Sequence, residues 1–149
     1  MKIGHVHLKV RDLNRSARFY QEFLDMKERE RIGNLFIFLS GTDAHHEIAL
    51  QGVGEDAKSP GRYDVGLFHT AFEVPDRKVL ALAYKKLKDN EIPVMAVDHR
   101  ISWAIYFFDP DGNGLEIYWD ARDQKDGALL WEGRDRPLSE AKLLSYLND

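Results

Sequence analysis

Apolar residues Ile3, Val6, Leu8 and Val10 alternate with polar ones over residues 3–10, with one interruption after Ile3, a pattern that predicts a strand. Asp12 reads as an N-cap, and behind it Leu13, Ala17, Tyr20, Phe23 and Leu24 recur at helical spacing. Gly33-Asn34 marks a turn before a short strand over 35–39, and Gly41-Thr42-Asp43 turns the chain into a further strand over 47–50. A stretch rich in Gly, Pro, Ser and charge, 52–63, reads as a linker.

The same order then returns. Strand 65–74, helix 76–90 and strands 93–97, 104–108 and 115–119 are expected, with Asp109-Pro110-Asp111-Gly112-Asn113-Gly114 closing the last hairpin. His5/His69, Leu8/Phe72, Val10/Val74, Asp12/Asp76 and Tyr20/Tyr84 all keep one offset (69 − 5 = 76 − 12 = 84 − 20 = 64). Such an internal repeat decides the architecture before any single element does. The expectation is an α+β fold with a first module over 1–51, a second over 64–120 and an extension over 121–149, forming one structural domain. The extension carries a terminal helix capped by Ser139, with Ala141, Leu144 and Leu147 as its apolar set.

Composition narrows the chemistry. The 149 residues include no cysteine, so disulfides, thiolate metal sites and a thiol nucleophile are all excluded. A formal charge of −4 without a basic run argues against nucleic acid as a partner. No apolar stretch is long enough to span a bilayer, and Met1 to His5 enter a strand with no secretory segment, so a cytoplasmic protein is expected.

Any metal must therefore be held by nitrogen and oxygen. The repeat places His5 and His69 at equivalent points of two opening strands, and Glu116 stands in the otherwise apolar run Leu115-Glu116-Ile117-Tyr118-Trp119. A buried carboxylate costs several kcal/mol (roughly, for an uncompensated charge) unless a cation or hydrogen bonds offset it. Two histidines and one carboxylate with open positions form the donor set of non-haem Fe(II) sites. Each residue taken alone is as readily a satisfied or solvent-facing side chain.

His5-Val6-x-Leu8-x-Val10-x-Asp12-x-x-x-Ser16-x-x-Phe19-Tyr20 resembles the first-strand signature of the vicinal oxygen chelate superfamily, and Asp109-Pro110-Asp111-Gly112-Asn113-x-x-Glu116 resembles its last hairpin. That superfamily includes glyoxalase I, extradiol ring-cleaving dioxygenases and bleomycin or fosfomycin resistance proteins. The resemblance implies two tandem βαβββ modules, a mixed sheet curled around a metal cavity, and metal ligands at His5, His69 and Glu116. It selects His5 over His7, which lies on the same strand face.

His45-His46-Glu47-Ile48-Ala49-Leu50 is similar to the dioxygenase segment around a proton-handling histidine, matched by His46. Ile105-Tyr106-Phe107-Phe108 is similar to the segment bearing a substrate-binding tyrosine, matched by Tyr106 and able to sit beside Glu116 across the hairpin. His99, seven residues ahead of Tyr106, is the candidate for a further histidine of that site. Phe36, Phe38, Trp103 and Tyr118 are candidates for a wall, or simply for core.

These likenesses imply an extradiol dioxygenase using Fe(II), with Mn, Ni or Zn as alternatives, acting on a small aromatic diol and O2. They also point to a homodimer or higher homo-oligomer. A glyoxalase-I-like lyase or isomerase remains open, in which Glu47, aligned with Glu116 as x-Glu-Ile, gives a fourth ligand. A metal-free drug-binding protein of the same fold remains open as well.

Overall fold

The computed structural model describes residues 1–148. The fold is α+β, built as two compact units, one comprising Met1–Leu67 with Asp109–Asn113 and the other Phe68–Phe108 with the chain from Gly114 onward. Each unit has its own mixed sheet, in place of one curled sheet.

In the first unit β1 (Val6–Val10), α1 (Leu13–Leu24), β2 (Lys27–Ile32), β3 (Phe36–Ser40) and β4 (Ile48–Gly52) follow in order. The strands are arranged β1-β4-β3-β2, with β1 parallel to β4 and the other pairs antiparallel. In the second, β5 (Thr70–Glu73), α2 (Arg77–Asp89), β6 (Met95–Asp98), β7 (Ser102–Phe108) and β8 (Gly114–Asp120) repeat that plan. Their order is β5-β8-β7-β6, extended by the short β9 (Arg136–Pro137), and α3 (Glu140–Ser145) closes the described chain.

The 64-residue offset survives in detail. α1 begins at Leu13 and α2 at Arg77 (77 − 13 = 64), and each is capped by the aspartate before it. Asp12 accepts from the Arg15 N–H at 2.9 Å and Asp76 from the Val79 N–H at 2.8 Å, satisfying one donor that a helix start leaves open. The paired tyrosines also agree: the Tyr20 hydroxyl donates to Asp109 at 3.0 Å and the Tyr84 hydroxyl to Glu140 at 2.8 Å. Each phenol ring is packed among apolar residues while its polar tip keeps a partner.

Each helix packs on one face of its own sheet. Leu13, Ala17 and Tyr20 are buried with Leu8, Val10, Ile37, Leu39 and Leu50; Leu80, Ala81, Tyr84 and Leu87 are buried as are Ile105, Phe107, Leu115 and Ile117. Trp103 belongs with this second core. It stands edge-on to Trp119 at 5.8 Å and to Tyr146 at 5.6 Å, with the Arg77 guanidinium 4.9 Å from its centroid, so it is no wall of a site.

The turn read at 109–113 does more than reverse the chain. In the first unit Asp109 accepts from the Tyr20 hydroxyl, the Asp111 N–H (2.9 Å), the Asn113 N–H (2.9 Å) and the Asn113 side chain (2.8 Å). Asp111 meets Arg11 at 3.1 Å, Arg15 at 3.0 Å and the Ser16 hydroxyl at 3.2 Å. Both carboxylates are buried yet supplied with donors, the condition under which burying them is tolerated.

Several expectations need correction. β1 starts at Val6 and β5 at Thr70, so residues 3–5 and 65–69 lie outside the strands; Ile3 and Phe68 are exposed despite being apolar. β2 completes the βαβββ plan that the resemblance implies although the hydrophobic pattern gave no sign of it, and β9 was not expected. The terminal helix buries Leu143, whereas Ala141 is exposed and Leu147 lies past its end. Among the described residues no helix is long and apolar enough to cross a membrane.

Candidate metal and substrate site

His5 and His69 each immediately precede the first residue of their strand, Val6 and Thr70. His5 is exposed and His69 half-buried.

In the second unit the sheet register builds a cluster around Glu116. Tyr106 of β7 is paired with Glu116 of β8, as the hairpin spacing suggested. Alternation puts Tyr106, Glu116 and Tyr118 on one face and Ile105, Phe107, Leu115 and Ile117 on the core face. Glu116 is only 8% exposed, and its Oε2 lies 2.8 Å from His69 Nε2. The Tyr106 ring is 5.5 Å from that of His69. Burial, then the Glu116 charge and a hydrogen bond to that carboxylate, push the Tyr106 hydroxyl well above its ordinary pKa, keeping it protonated.

This pair suits a metal ion. Two donors each about 2.1 Å from one ion and at right angles stand about 3 Å apart, close to the observed separation. Neutral imidazole with carboxylate also matches the donors preferred by Fe, Mn, Ni or Zn in a thiolate-free site. Among the described residues no group of three or more His, Asp or Glu side chains converges on one point.

His69 Nδ1 is buried without a hydrogen-bond partner among the described residues. The ring is therefore fixed by its backbone and by Glu116. Gly114 governs that backbone, because a Cβ there would meet the Phe68 carbonyl oxygen at 2.3 Å and His69 Cβ at 3.2 Å. Gly114→Ala is expected to displace the entry to β5 and weaken metal binding at least about 10-fold, a size usual for losing support of a ligand. Metal titration of the variant, with circular dichroism to confirm its fold, checks this.

His99 does reach Tyr106. Its Nε2 is 2.7 Å from the Tyr106 hydroxyl, because His99 sits at the end of β6, where the tight connection to β7 returns it toward that face. The short sequence separation reflects this tight reversal.

In the first unit His5 and His46 lie with ring centroids 4.5 Å apart, and Phe38 stands 4.9 Å from His46. Phe36 stacks on Phe38 at 6.1 Å and meets His7 edge-on at 5.8 Å. An aromatic and imidazole face results, with His5, His7 and His46 on it. Desolvation, then the neighbouring His5 and His45, hold His46 below the ordinary histidine pKa, so its ring is neutral near pH 7.

Glu47 is committed elsewhere. Its carboxylate accepts from the Gly41 N–H at 2.8 Å, the Ser40 hydroxyl at 3.2 Å and the Thr42 hydroxyl. Burial raises its pKa, but the hydrogen bonds from Thr42, Gly41 and Ser40 outweigh that and hold it low.

Register corrects the alignment of Glu47 with Glu116. Val6 pairs with Ile48 and its counterpart Thr70 with Leu115, so Ala49 is the counterpart of Glu116 and Glu47 that of Gly114. By the same rule Phe38, opposite Ala49, is the counterpart of Tyr106. The first module therefore offers no carboxylate at the position equivalent to Glu116.

Comparison with known proteins agrees with this architecture. The sequence model of the Glyoxalase/Bleomycin resistance protein/Dioxygenase superfamily matches residues 2–117. The chain belongs to this superfamily.

Among curated proteins, catechol-2,3-dioxygenase of Bacillus subtilis (strain 168) is 35% identical over 127 residues, covering 79% of this chain and 41% of that protein. Biphenyl-2,3-diol 1,2-dioxygenase 3 of Rhodococcus globerulus is 38% identical over 87 residues, covering 56% of this chain and 45% of that one. The chain thus spans less than half the length of these two relatives. Among solved structures, a glyoxylase/bleomycin resistance protein/dioxygenase domain from Frankia sp. EAN1pec superposes with a TM-score of 0.69 at 27% identity, covering 80% of this chain and 98% of that one.

Proposed function

We propose that the chain is an extradiol ring-cleaving dioxygenase that opens a catechol-type aromatic with O2, its metal held by His5, His69 and Glu116. The observation that carries this reading is the cluster in which a buried Glu116 faces His69 at 2.8 Å while its cross-strand neighbour Tyr106 is bonded to His99. The dioxygenase names of the two curated relatives support it. So does the position of Ala49, which removes the fourth ligand on which the glyoxalase reading depends.

Bound Fe(II) would supply Lewis acidity and an electron route between the diol and O2. The protein's own groups do the rest. His46, neutral near pH 7, takes a proton from one ring hydroxyl and later returns it. Tyr106, kept protonated, hydrogen-bonds a substrate oxygen, with His99 behind it. Phe36 and Phe38 offer flat apolar surface for the ring. In this reading the partners are the small aromatic diol and O2, and the working assembly is a homodimer or higher homo-oligomer.

The test is anaerobic purification and Fe(II) loading, followed by oxygen uptake with catechol and with 2,3-dihydroxybiphenyl. Uptake with ring-opened product is expected. Absence of uptake from fully loaded protein overturns the assignment, and isomerisation of the methylglyoxal–glutathione adduct would put a lyase in its place.

A further inference from the structure

Beyond residue 117, where the family match ends, the extension returns to the His99 turn. β9 pairs with β6 through Asp98↔Arg136, the Ala121 N–H donates to Ile101 O at 2.8 Å, and the Ala128 N–H donates to Arg100 O at 2.9 Å. Arg100 itself has φ +68, a left-handed conformation that a non-glycine residue holds only when its surroundings over-determine it. The extension thus surrounds one turn, and it brings two polar groups with it.

Those groups are Asp135 and Trp131. Asp135 Oδ1 lies 2.5 Å from His99 Nδ1, and the Trp131 indole N–H donates to the same oxygen at 2.8 Å. The Trp131 ring stands edge-on to His99 at 5.8 Å. Tyr106, His99 and Asp135 are therefore joined in one line of hydrogen bonds, steadied at its far end by an indole.

We infer that Asp135 is a positioning residue that fixes the proton of His99 on Nδ1, leaving Nε2 as the acceptor for the Tyr106 hydroxyl. An ionised carboxylate can only accept, so the nitrogen facing it must carry hydrogen. With Nε2 bare, His99 competes with Glu116 for the Tyr106 hydrogen, and with that hydrogen on His99 the phenol oxygen meets a bound diol as an acceptor for one of its hydroxyls. The tautomer assignment stands on the unit's own geometry; its consequence for the diol rests on the dioxygenase reading.

The chain labelled with ¹⁵N-histidine tests this directly. Long-range proton–nitrogen spectra of the full chain, with His99 assigned by its loss in His99→Gln, are expected to show a protonated Nδ1 and a bare Nε2. In Asp135→Ala the proton should move to Nε2, while Asp135→Asn, which keeps an acceptor oxygen, should retain part of the Nδ1–H form. On catechol, Asp135→Ala should lower kcat about 100-fold, in the range of a lost acid–base partner, with KM within about threefold.

Should Asp135→Ala fail to fold, Trp131→Phe removes only the indole donor and is expected to shift the same resonances partway. A bare Nδ1 in the unaltered protein, or a nitrogen pattern indifferent to both substitutions, overturns the inference. If the unaltered protein consumes no oxygen, the dioxygenase assignment falls, and the nitrogen spectra still decide the tautomer.

Discussion

Glu116→Gln is expected to lower affinity for Fe(II) or Mn(II) at least about 100-fold and to bring oxygen uptake to background. Support groups around metal ligands are already worth about 10–100-fold, and a charged ligand should exceed them. The substitution keeps shape and removes charge. Gln can still accept a hydrogen bond from His69 Nε2, now 2.8 Å from the carboxylate, so the fold should hold.

Indeed, a carboxylate only 8% exposed is costly without a cation, so the metal-free variant should be within about 1 kcal/mol of the parent in urea unfolding, or more stable. Metal titration and oxygen uptake measured beside that unfolding curve separate loss of the ligand from loss of the fold. Metal affinity retained within about threefold would refute Glu116 as a ligand.

The second large effect is structural. Asp109→Ala is expected to cost about 3 kcal/mol or more, because a buried carboxylate that serves four donors disappears and the buried Tyr20 hydroxyl loses its acceptor. Tyr20→Phe removes donor and need together for that one bond, so it should cost less, about 1 kcal/mol. The Tyr20→Phe, Asp109→Ala double variant should then be less destabilised than the sum of the two, since both delete the same bond. Urea midpoints followed by circular dichroism measure all three. A loss below about 0.5 kcal/mol for Asp109→Ala would mean that water replaces the carboxylate at the turn.

Parts of this architecture are legible in the sequence. The 64-residue repeat carried the module plan, the Asp12 cap and the equivalence of His5 with His69, because period and capping are local properties of the chain; the helix read from 76 instead begins at Arg77, with Asp76 as its cap. The Tyr106–Glu116 pairing followed from hairpin spacing and is seen in the ladder.

What escaped depends on partners distant in sequence. Asp135 lies 36 residues from His99, and nothing in its local sequence marks it as the partner of an imidazole. The alignment of Glu47 with Glu116 followed a shared Glu-Ile motif, whereas equivalence is set by which residue each opening strand pairs with. Exposed apolar residues at 65–68 lengthened the expected β5, since an apolar run reads as strand whether or not anything covers it. Strand β2, implied by the βαβββ plan, could not be placed from the pattern for the opposite reason: Lys27-Glu28-Arg29-Glu30-Arg31-Ile32 is exposed throughout and has no apolar alternation.

That polar strand has a consequence for the molecule's behaviour in crowded solution. β2 is the margin of its sheet, where unpaired backbone groups invite another chain to add itself as a further strand. Its dense mixture of Lys, Glu and Arg, with the irregularity in register between Glu28 and Glu30, makes such stacking unfavourable. Aggregation through this margin is disfavoured by the same residues that hid the strand from a search for hydrophobic pattern.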